Sequence, residues 1–544
     1  MSEIQIIEFM KLIKKLPEMP NVQMPTAEQL RRLSEGYGNL TEFGNYNFCS
    51  AVRNRSAGLT VYIGNEKVRQ KGLTREQQEI VKKWPKTMKL VARYFQKAPL
   101  YYIPLTMGHN DTFNPHCNLI ISRYRADYVR LAYMVYKTLF ERSDRPGPEI
   151  YLVDLPEWQE KDRQILVFPE EHLTIVLGSD YYGEIKKGFL RMGMYLAKEH
   201  NMLGLHAGAK MIWARGGDGR IKKLGMIIFG LTATGKTTHS CHHHGLLEPG
   251  EKVRIVQDDV IFLKKSGETF GTERGFYIKT EGLNPDVHPL LYKAATSKNA
   301  ILENVMVDYT GKVYFDDDVL TGNGRGIIQF DDLGEWRNEE INLPPIRDLD
   351  KLIIAFITRR NTVLPIVTKL NKAQAAGAFM LGESVESSGG DPRRAGESIR
   401  VVGMNPFIVG DEADEGNWFY DFLEENENSV ECYQLNTGGV GELAVTESDG
   451  TKRIVRKATR VEIHEMASII RNICRGTIRW RKEAYFNTLV PEEVEGVDMK
   501  RFELRNYYSE EEIFALVENL KRERREYLMR FKNLYPEILE EFSF

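Results

Sequence analysis

Gly230-Leu231-Thr232-Ala233-Thr234-Gly235-Lys236-Thr237 follows an apolar run, LGMIIF at 224–229, and is followed by Thr238. The spacing is G-x-x-x-x-G-K-[ST], the pattern of a loop that cradles phosphates. The apolar run reads as a buried strand, and Thr238 onward can open a helix. In that setting the backbone N–H groups from Gly230 to Thr238 face a polyphosphate. Lys236 reaches its β- and γ-phosphates, and the Thr237 hydroxyl binds Mg²⁺. The competing reading is an ordinary glycine-rich strand-to-helix turn; two glycines and a Lys-Thr pair in this context favour a nucleotide.

The rest of the chain bounds what such a loop serves. At 544 residues it is too long for one small core, so two or three domains are expected. Hydrophobic residues make up 42% and charged residues 28%, the balance of a soluble globular protein. The net charge of -3 gives no global field that would recruit nucleic acid or an acidic membrane. Cys49, Cys117, Cys241, Cys432 and Cys474 are scattered and form no C-x-x-C, which argues against a disulfide framework and fits a reducing, cytoplasmic setting. The N-terminus lacks the h-region of a signal peptide. No apolar run is long enough to span a membrane; KLIIAFITRRNTVLPIV is cut by Arg359 and Arg360.

Along the chain, residues 1–50 read as helix and then loop, 100–106 and 149–154 as strands, and 119–142 as a helix by its apolar period. Residues 172–178 read as a strand and 184–200 as a helix. Short strands are expected at 224–229, 253–257, 260–263, 300–308 and 312–315, a density that suggests a mixed α/β domain. The polar, glycine-rich stretch 382–397 reads as a loop or lid, and 509–534 as a charged surface helix.

Several further groups could carry chemistry. Asp258-Asp259 ends a β-branched run, RIV followed by QDD, where a phosphate loop needs an acidic partner for its metal. Lys186 and Lys187 lie at the start of a helix; a lysine beside a divalent cation loses its proton more readily and can become a ligand. His206 has small neighbours, and neutral imidazole suits Mn²⁺ or Zn²⁺. His239, Cys241, His242, His243 and His244 resemble a metal cluster, but neighbours on a helix point apart, so most of this group reads as structural. Arg55, Arg325 and Arg453 sit in turn-like contexts, where an arginine fork suits carboxylate or phosphate.

Taken in order, these segments resemble the ATP-dependent phosphoenolpyruvate carboxykinase family. Arg55-Ser56 resembles G-R-S-P, and Tyr181-Tyr182-Gly183-Glu184-Ile185-Lys186-Lys187-Gly188 resembles Y-G-G-E-M-K-K-G. Leu205-His206-Ala207-Gly208-Ala209 is similar to M-H-C-S-A. The phosphate loop resembles F-G-L-S-G-T-G-K-T-T, followed by the D-D pair. Ile301-Leu302-Glu303-Asn304-Val305 resembles L-L-E-N-V, Arg325 falls at the T-R-V-S arginine, and 452–460 resembles the K-R-I…T-R adenine segment.

The resemblance implies a two-lobed α/β fold with mixed sheets. A substrate-binding lobe over 1–203 and a P-loop nucleotide and metal lobe over 204–544 would flank an active-site cleft. It implies the reaction oxaloacetate + ATP ⇌ phosphoenolpyruvate + ADP + CO₂, in gluconeogenesis or anaplerosis. A monomer is expected, with an oligomer left open, and charge and hydropathy point to no nucleic-acid or membrane partner. Lys187, His206 and Asp259 would bind Mn²⁺, and Thr237 the nucleotide's Mg²⁺. Lys236 and Arg325 would stabilise the transferring phosphoryl group. Arg55 and Tyr181, with Lys186 nearby, would grip the substrate carboxylate and CO₂. Glu303 joins the nucleotide site, and Arg453, Ile454 and Thr459 would flank the adenine.

The chain departs from the family where Thr232-Ala233 replaces Ser-Gly, where Lys210 replaces a neutral side chain, and where the Arg55 segment lacks the proline and following lysine. Two other functions remain open on sequence: a P-loop kinase of the same scaffold acting on another small carboxylate, and a low-turnover nucleotide-binding regulator.

Overall fold

The computed structural model describes residues 2–69, 72–231, 234–385, 397–446 and 452–542. The chain forms two units. The first comprises 1–201, 270–334 and 407–411; the second comprises 202–269, 335–406 and 412–544. The first thus ends its opening run near the expected boundary at 203, but the chain then re-enters it twice, which no shift in composition announces.

The first unit is built on an eight-stranded mixed sheet whose long members are Leu100–Thr106, His116–Ser122, Glu149–Leu155, Leu173–Leu177 and Gln164–Phe168, in that spatial order. Its apolar face packs against the helices Ser2–Lys15 and Arg75–Phe95 through Phe9, Ile13, Trp84, Val91 and Phe95. Arg75–Phe95 starts at a reciprocal capping box between Thr74 and Gln77. Residues 119–122, expected as helix, belong instead to the strand His116–Ser122; the helix begins only at Val129. A short apolar run buried on both faces carries no period that separates strand from helix, and here its backbone pairs with strands on both sides. A second, five-stranded sheet contains Gly275–Lys279, Arg325–Gln329, Ile301–Glu303 and Tyr46–Phe48.

The second unit is built on an eight-stranded mixed sheet in the order Lys252–Gln257, Ala207–Arg215, Ile221–Gly230, Lys351–Thr358, Val430–Asn436, Val367–Leu370, Leu489–Pro491 and Trp480–Lys482. Ile221–Gly230 runs parallel to Lys351–Thr358 and antiparallel to Ala207–Arg215. Phe229, the residue before the phosphate loop, lies directly opposite Phe356 with ring centroids 5.0 Å apart, and meets Phe379 at 6.0 Å. Aromatic pairs of this kind contribute ~0.5–1.5 kcal/mol each beyond their burial, which fixes the end of the strand that carries the loop.

All five cysteines are free thiols. Among the described residues no helix is long and apolar enough to cross a membrane. Most of the stretch expected as a lid, 386–396, lies outside the described residues; its flanks form the strand pair Glu383–Val385 and Ser398–Arg400.

Candidate active site

The second unit's sheet register gathers three segments. Ala207 pairs with Phe229, and Ala209 pairs with Gln257. His206 before one strand, Gly230 at the end of another and Asp258-Asp259 after a third therefore emerge at one sheet edge. Gly235 adopts φ +100°, a left-handed conformation that favours glycine, and opens the helix Lys236–Ser240. A Cβ on Gly230 would come within 2.8 Å of Thr234 Oγ1, so the loop closes tightly on its own strand. Thr437 Oγ1 donates to Thr234 O at 2.7 Å and braces the loop from outside. Thr232 and Ala233 lie outside the described residues.

Lys236 Nζ and His206 Nε2 each stand 3.0 Å from Asp259 Oδ1. His206 Nδ1 lies 2.8 Å from Met404 O. A carbonyl can only accept, so Nδ1 carries a proton; Nε2 faces the carboxylate across 3.0 Å, either donating a second proton to it or sharing a metal with it. Two electron-pair donors this close hold a cation, either a proton or a metal, and an imidazole oriented by a backbone carbonyl is a common ligand arrangement. The pair fits a divalent cation. Thr237 follows Lys236 on the same short helix. Among the described residues no three His, Cys, Asp or Glu side chains form a metal cluster, so further donors would have to be of another kind.

The histidine-rich segment is not one helix, as expected, but a short helix end followed by a turn. The helix ends at Ser240, so His242, His243 and His244 lie beyond it. His242 stacks on His243 and meets His244 at a tilt, and His243 stacks on Trp336. Lys210 is fully buried beneath them; it donates to His239 O at 2.5 Å and His242 O at 3.3 Å, and contacts His244 Nε2. An ammonium thus caps the carbonyl end of the phosphate-loop helix. Burial pushes the Lys210 amine down to about 7.

The adenine-segment residues occupy short strand pairs of the same unit. Arg453 and Ile454 lie on Lys452–Arg456, and Ile454 is exposed. Thr459 pairs with Val440 and receives a 2.7 Å hydrogen bond from the Tyr507 hydroxyl. The chain from Thr437 to Val440 therefore connects the phosphate loop's brace to Thr459.

The first unit holds the remaining expected residues. The Arg55 segment is fixed by backbone capture: Asp180 accepts from Ala51 N and Val52 N, both at 2.9 Å, and Glu184 accepts from Ser56 N at 2.7 Å. Asp180 is itself held by the buried Arg130 at 2.8 Å. Asn323 donates to Arg53 O, Asn54 Oδ1 and the Tyr181 hydroxyl, tying Arg55's neighbours to Tyr181. A Cβ on Gly183 would lie 2.4 Å from the Tyr181 ring, so this glycine makes room for it.

Lys186 and Lys187 face different ways on the helix Tyr182–Glu199. Lys186 is buried in an ion pair with Glu273 at 2.8 Å. Lys187 is half-buried, its Nζ 5.1 Å from the Phe407 ring centroid, with Arg55 Cζ at 4.7 Å from the same centroid.

Glu303 is fully buried; it accepts from the Tyr277 hydroxyl at 2.5 Å and Tyr182 N at 3.3 Å, and burial raises its carboxyl above the usual range. It stands cross-strand from Arg325, whose Cζ lies 5.5 Å over the Tyr277 ring. Glu303 thus holds the Tyr277 hydroxyl from behind the ring. Lys279 pairs in register with Arg325 and shares its face of the sheet, a second cation that sequence reasoning passed over, as it did Asp180, Asn323 and Phe407. Asp180 directly precedes Tyr181 and Asn323 lies two residues before Arg325, so proximity in sequence was the available signal.

A family model described as phosphoenolpyruvate carboxykinase matches residues 20–500. The chain is 29% identical over 442 residues to phosphoenolpyruvate carboxykinase (ATP) of Aeropyrum pernix, covering 80% of this chain and 82% of that one. It is 26% identical over 378 residues to the protein of that name from Rhodopseudomonas palustris strain HaA2, covering 66% of this chain and 64% of that one. It is 26% identical over 417 residues to the one from Staphylococcus haemolyticus, covering 74% and 71%.

Proposed function

The chain belongs to the phosphoenolpyruvate carboxykinase family and is an ATP-dependent enzyme of that class, and from this premise we propose that it converts oxaloacetate and ATP to phosphoenolpyruvate, ADP and CO₂ with the following division of labour. The observation that carries the reading is the sharing of Asp259 by Lys236 and His206 at the edge where the phosphate loop emerges.

Cleavage of the carboxylate C–C bond of oxaloacetate releases CO₂ and leaves its electron pair on the enolate of pyruvate. The enolate oxygen then attacks the γ-phosphorus, and the β–γ bridging oxygen departs with ADP. Neither step asks the protein for a covalent bond; positioning and charge neutralisation suffice.

Arg55 and Tyr181 bind the substrate carboxylate and the departing CO₂, supported by the capture of the Arg55 segment by Asp180 and Glu184. Lys236 and Arg325 neutralise the transferring phosphoryl group, and Lys279 joins them through its register with Arg325. His206 and Asp259, with Lys187, would hold Mn²⁺, and Thr237 the nucleotide's Mg²⁺; bound there, divalent charge stabilises the enolate oxygen and the phosphates. Arg453, Ile454 and Thr459 flank the adenine, and the Thr437 brace links them to the phosphate loop.

The test follows phosphoenolpyruvate formed from oxaloacetate by the purified chain with Mg²⁺ and Mn²⁺, comparing ATP, GTP and no nucleotide. ATP-dependent product is expected. GTP-only product would overturn the adenine assignment. ATP binding without product would overturn the reaction.

A further inference from the structure

Arg191 lies one helical turn after Lys187 on Tyr182–Glu199. It is 3% exposed. Its Nε and Nη1 have no hydrogen-bond partner. A buried guanidinium ordinarily has its donors satisfied, because leaving them unmade costs the desolvation of a charged group. What surrounds Arg191 instead is aromatic. Its Cζ lies 5.7 Å from the Tyr62 ring centroid and 5.7 Å from that of Phe407. Ring faces attract the cation but accept none of its in-plane N–H bonds.

Phe407 is also the ring on which Arg55 and Lys187 converge, at 4.7 and 5.1 Å. Two guanidiniums and an ammonium therefore share one aromatic side chain within the first unit. Burial lowers the Arg55 guanidinium from its ordinary value; the Glu184 charge opposes this, and the neighbouring Arg191 charge adds a smaller push in the same direction as burial. An anion between the two guanidiniums would remove the repulsion and satisfy the in-plane donors together. A planar carboxylate matches the fork geometry of arginine bidentately.

We propose that Arg191 is a substrate-binding residue which, with Arg55, forms a two-guanidinium clamp across Phe407 that selects small dicarboxylates over monocarboxylates. The assignment of a dicarboxylate substrate rests on the reaction proposed above; the clamp itself rests on the unsatisfied donors. The sequence signal was the i, i+4 pair of cations on one helix face, which reads equally well as a solvated surface.

The test uses the full chain with oxalate as the dicarboxylate probe and acetate as the monocarboxylate, titrated calorimetrically, alongside steady-state kinetics. Arg191→Met is expected to weaken oxalate at least tenfold and raise the oxaloacetate KM by a similar factor. Acetate affinity and the Kd for ATP should stay near wild type, and the thermal midpoint should not fall, because an unsatisfied buried guanidinium is removed. Arg191→Lys, which keeps charge without the fork, is expected to recover only part of the oxalate affinity. A folded Arg191→Met that binds oxalate within twofold of wild type overturns the clamp. If that variant does not fold, unchanged oxalate affinity in Arg191→Lys overturns it, and a tenfold loss there supports it. Wild-type protein that binds oxalate tightly but forms no phosphoenolpyruvate would sink the reaction and leave the clamp standing. Phosphoenolpyruvate formation with an indifferent Arg191→Met would do the reverse.

Discussion

Two parts of the molecule treat buried charge in opposite ways. In the first unit, beside the paired Lys186–Glu273 and Arg130–Asp180, Arg191 keeps two donors free, and Asp154, fully buried on the strand Glu149–Leu155, has no hydrogen-bond partner for either oxygen. Around Asp259 and Glu383 in the second unit the charges are paired. Asp259 is shared by Lys236 and His206. Glu383, at the foot of the Glu383–Val385 strand, is ringed by Arg360 at 3.0 Å, Arg400 at 3.3 Å and Arg524 at 2.7 Å. Unpaired buried charge is a stability cost that a ligand can relieve, whereas a paired carboxylate stabilises locally and must exchange partners when a ligand arrives. The contrast suggests a substrate side that waits for its anion and a phosphate side that is already neutralised.

The largest expected effect lies on the paired side. Lys236→Met should lower turnover by roughly 10²–10³-fold, the scale of losing one transition-state donor, with near-ultraviolet circular dichroism unchanged. Retained turnover would break the phosphate-loop half of the comparison.

Next comes Glu383→Gln. Burial alone would push this carboxyl up; Arg360, Arg524 and Arg400 outweigh it and hold it well below the usual carboxylate range. Stripping one partner from a buried ionic group costs ~3–5 kcal/mol, read as a lower urea midpoint. Because the folded value is depressed, wild type keeps this advantage above the unfolded carboxyl's titration, and loses it as the pH falls through the folded value. A loss that did not shrink toward low pH would mean that packing, not charge, holds the cluster.

A smaller change of opposite sign is expected in the first unit. Burial, then Glu157, Asp180 and Glu184, raises the Asp154 carboxyl well above its ordinary value. A raised carboxyl leaves stability intact below the unfolded value and erodes it as the pH climbs through the folded one. Asp154→Asn should therefore match wild type near pH 4 and exceed it by about 1 kcal/mol or more near pH 8, in urea unfolding at both pH values. A variant that is weaker at both would show that Asp154 is partnered after all.

The smallest effect concerns Lys210. Its folded value of about 7 lies below that of an unfolded lysine, so the unfolded chain binds more protons between the two, and stability rises with pH there. Lys210→Met should flatten that rise between pH 7 and pH 10, read from unfolding midpoints. An unchanged slope would place the titration elsewhere.

Features defined by a few adjacent residues were legible in the sequence. The phosphate loop, the acidic pair and the His206 segment each follow from local spacing, and strand register then joins them at one edge. What stayed hidden depends on side-chain direction or on distant returns of the chain. Lys186 and Lys187 are neighbours in sequence, yet one enters an ion pair with Glu273 and the other turns to Phe407. Arg191 looks like a surface residue until Phe407 and Tyr62 are placed against it. The strand His116–Ser122 was hidden because a run buried on both faces has no readable period. The chain's returns to the first unit at 270–334 and 407–411 leave no mark in the composition.

Those re-entries give the molecule a timetable. Chains leave the ribosome at ~5–20 residues per second, so roughly 10–40 s separate the emergence of Arg191 from that of Phe407. The first unit cannot finish until 407–411 has been made, by which time much of the second unit's central sheet is already out. Through that interval the cations of the substrate side exist without the ring they gather around. A nascent chain released before residue 407 should be the form most dependent on chaperones, whatever the stability of the finished fold.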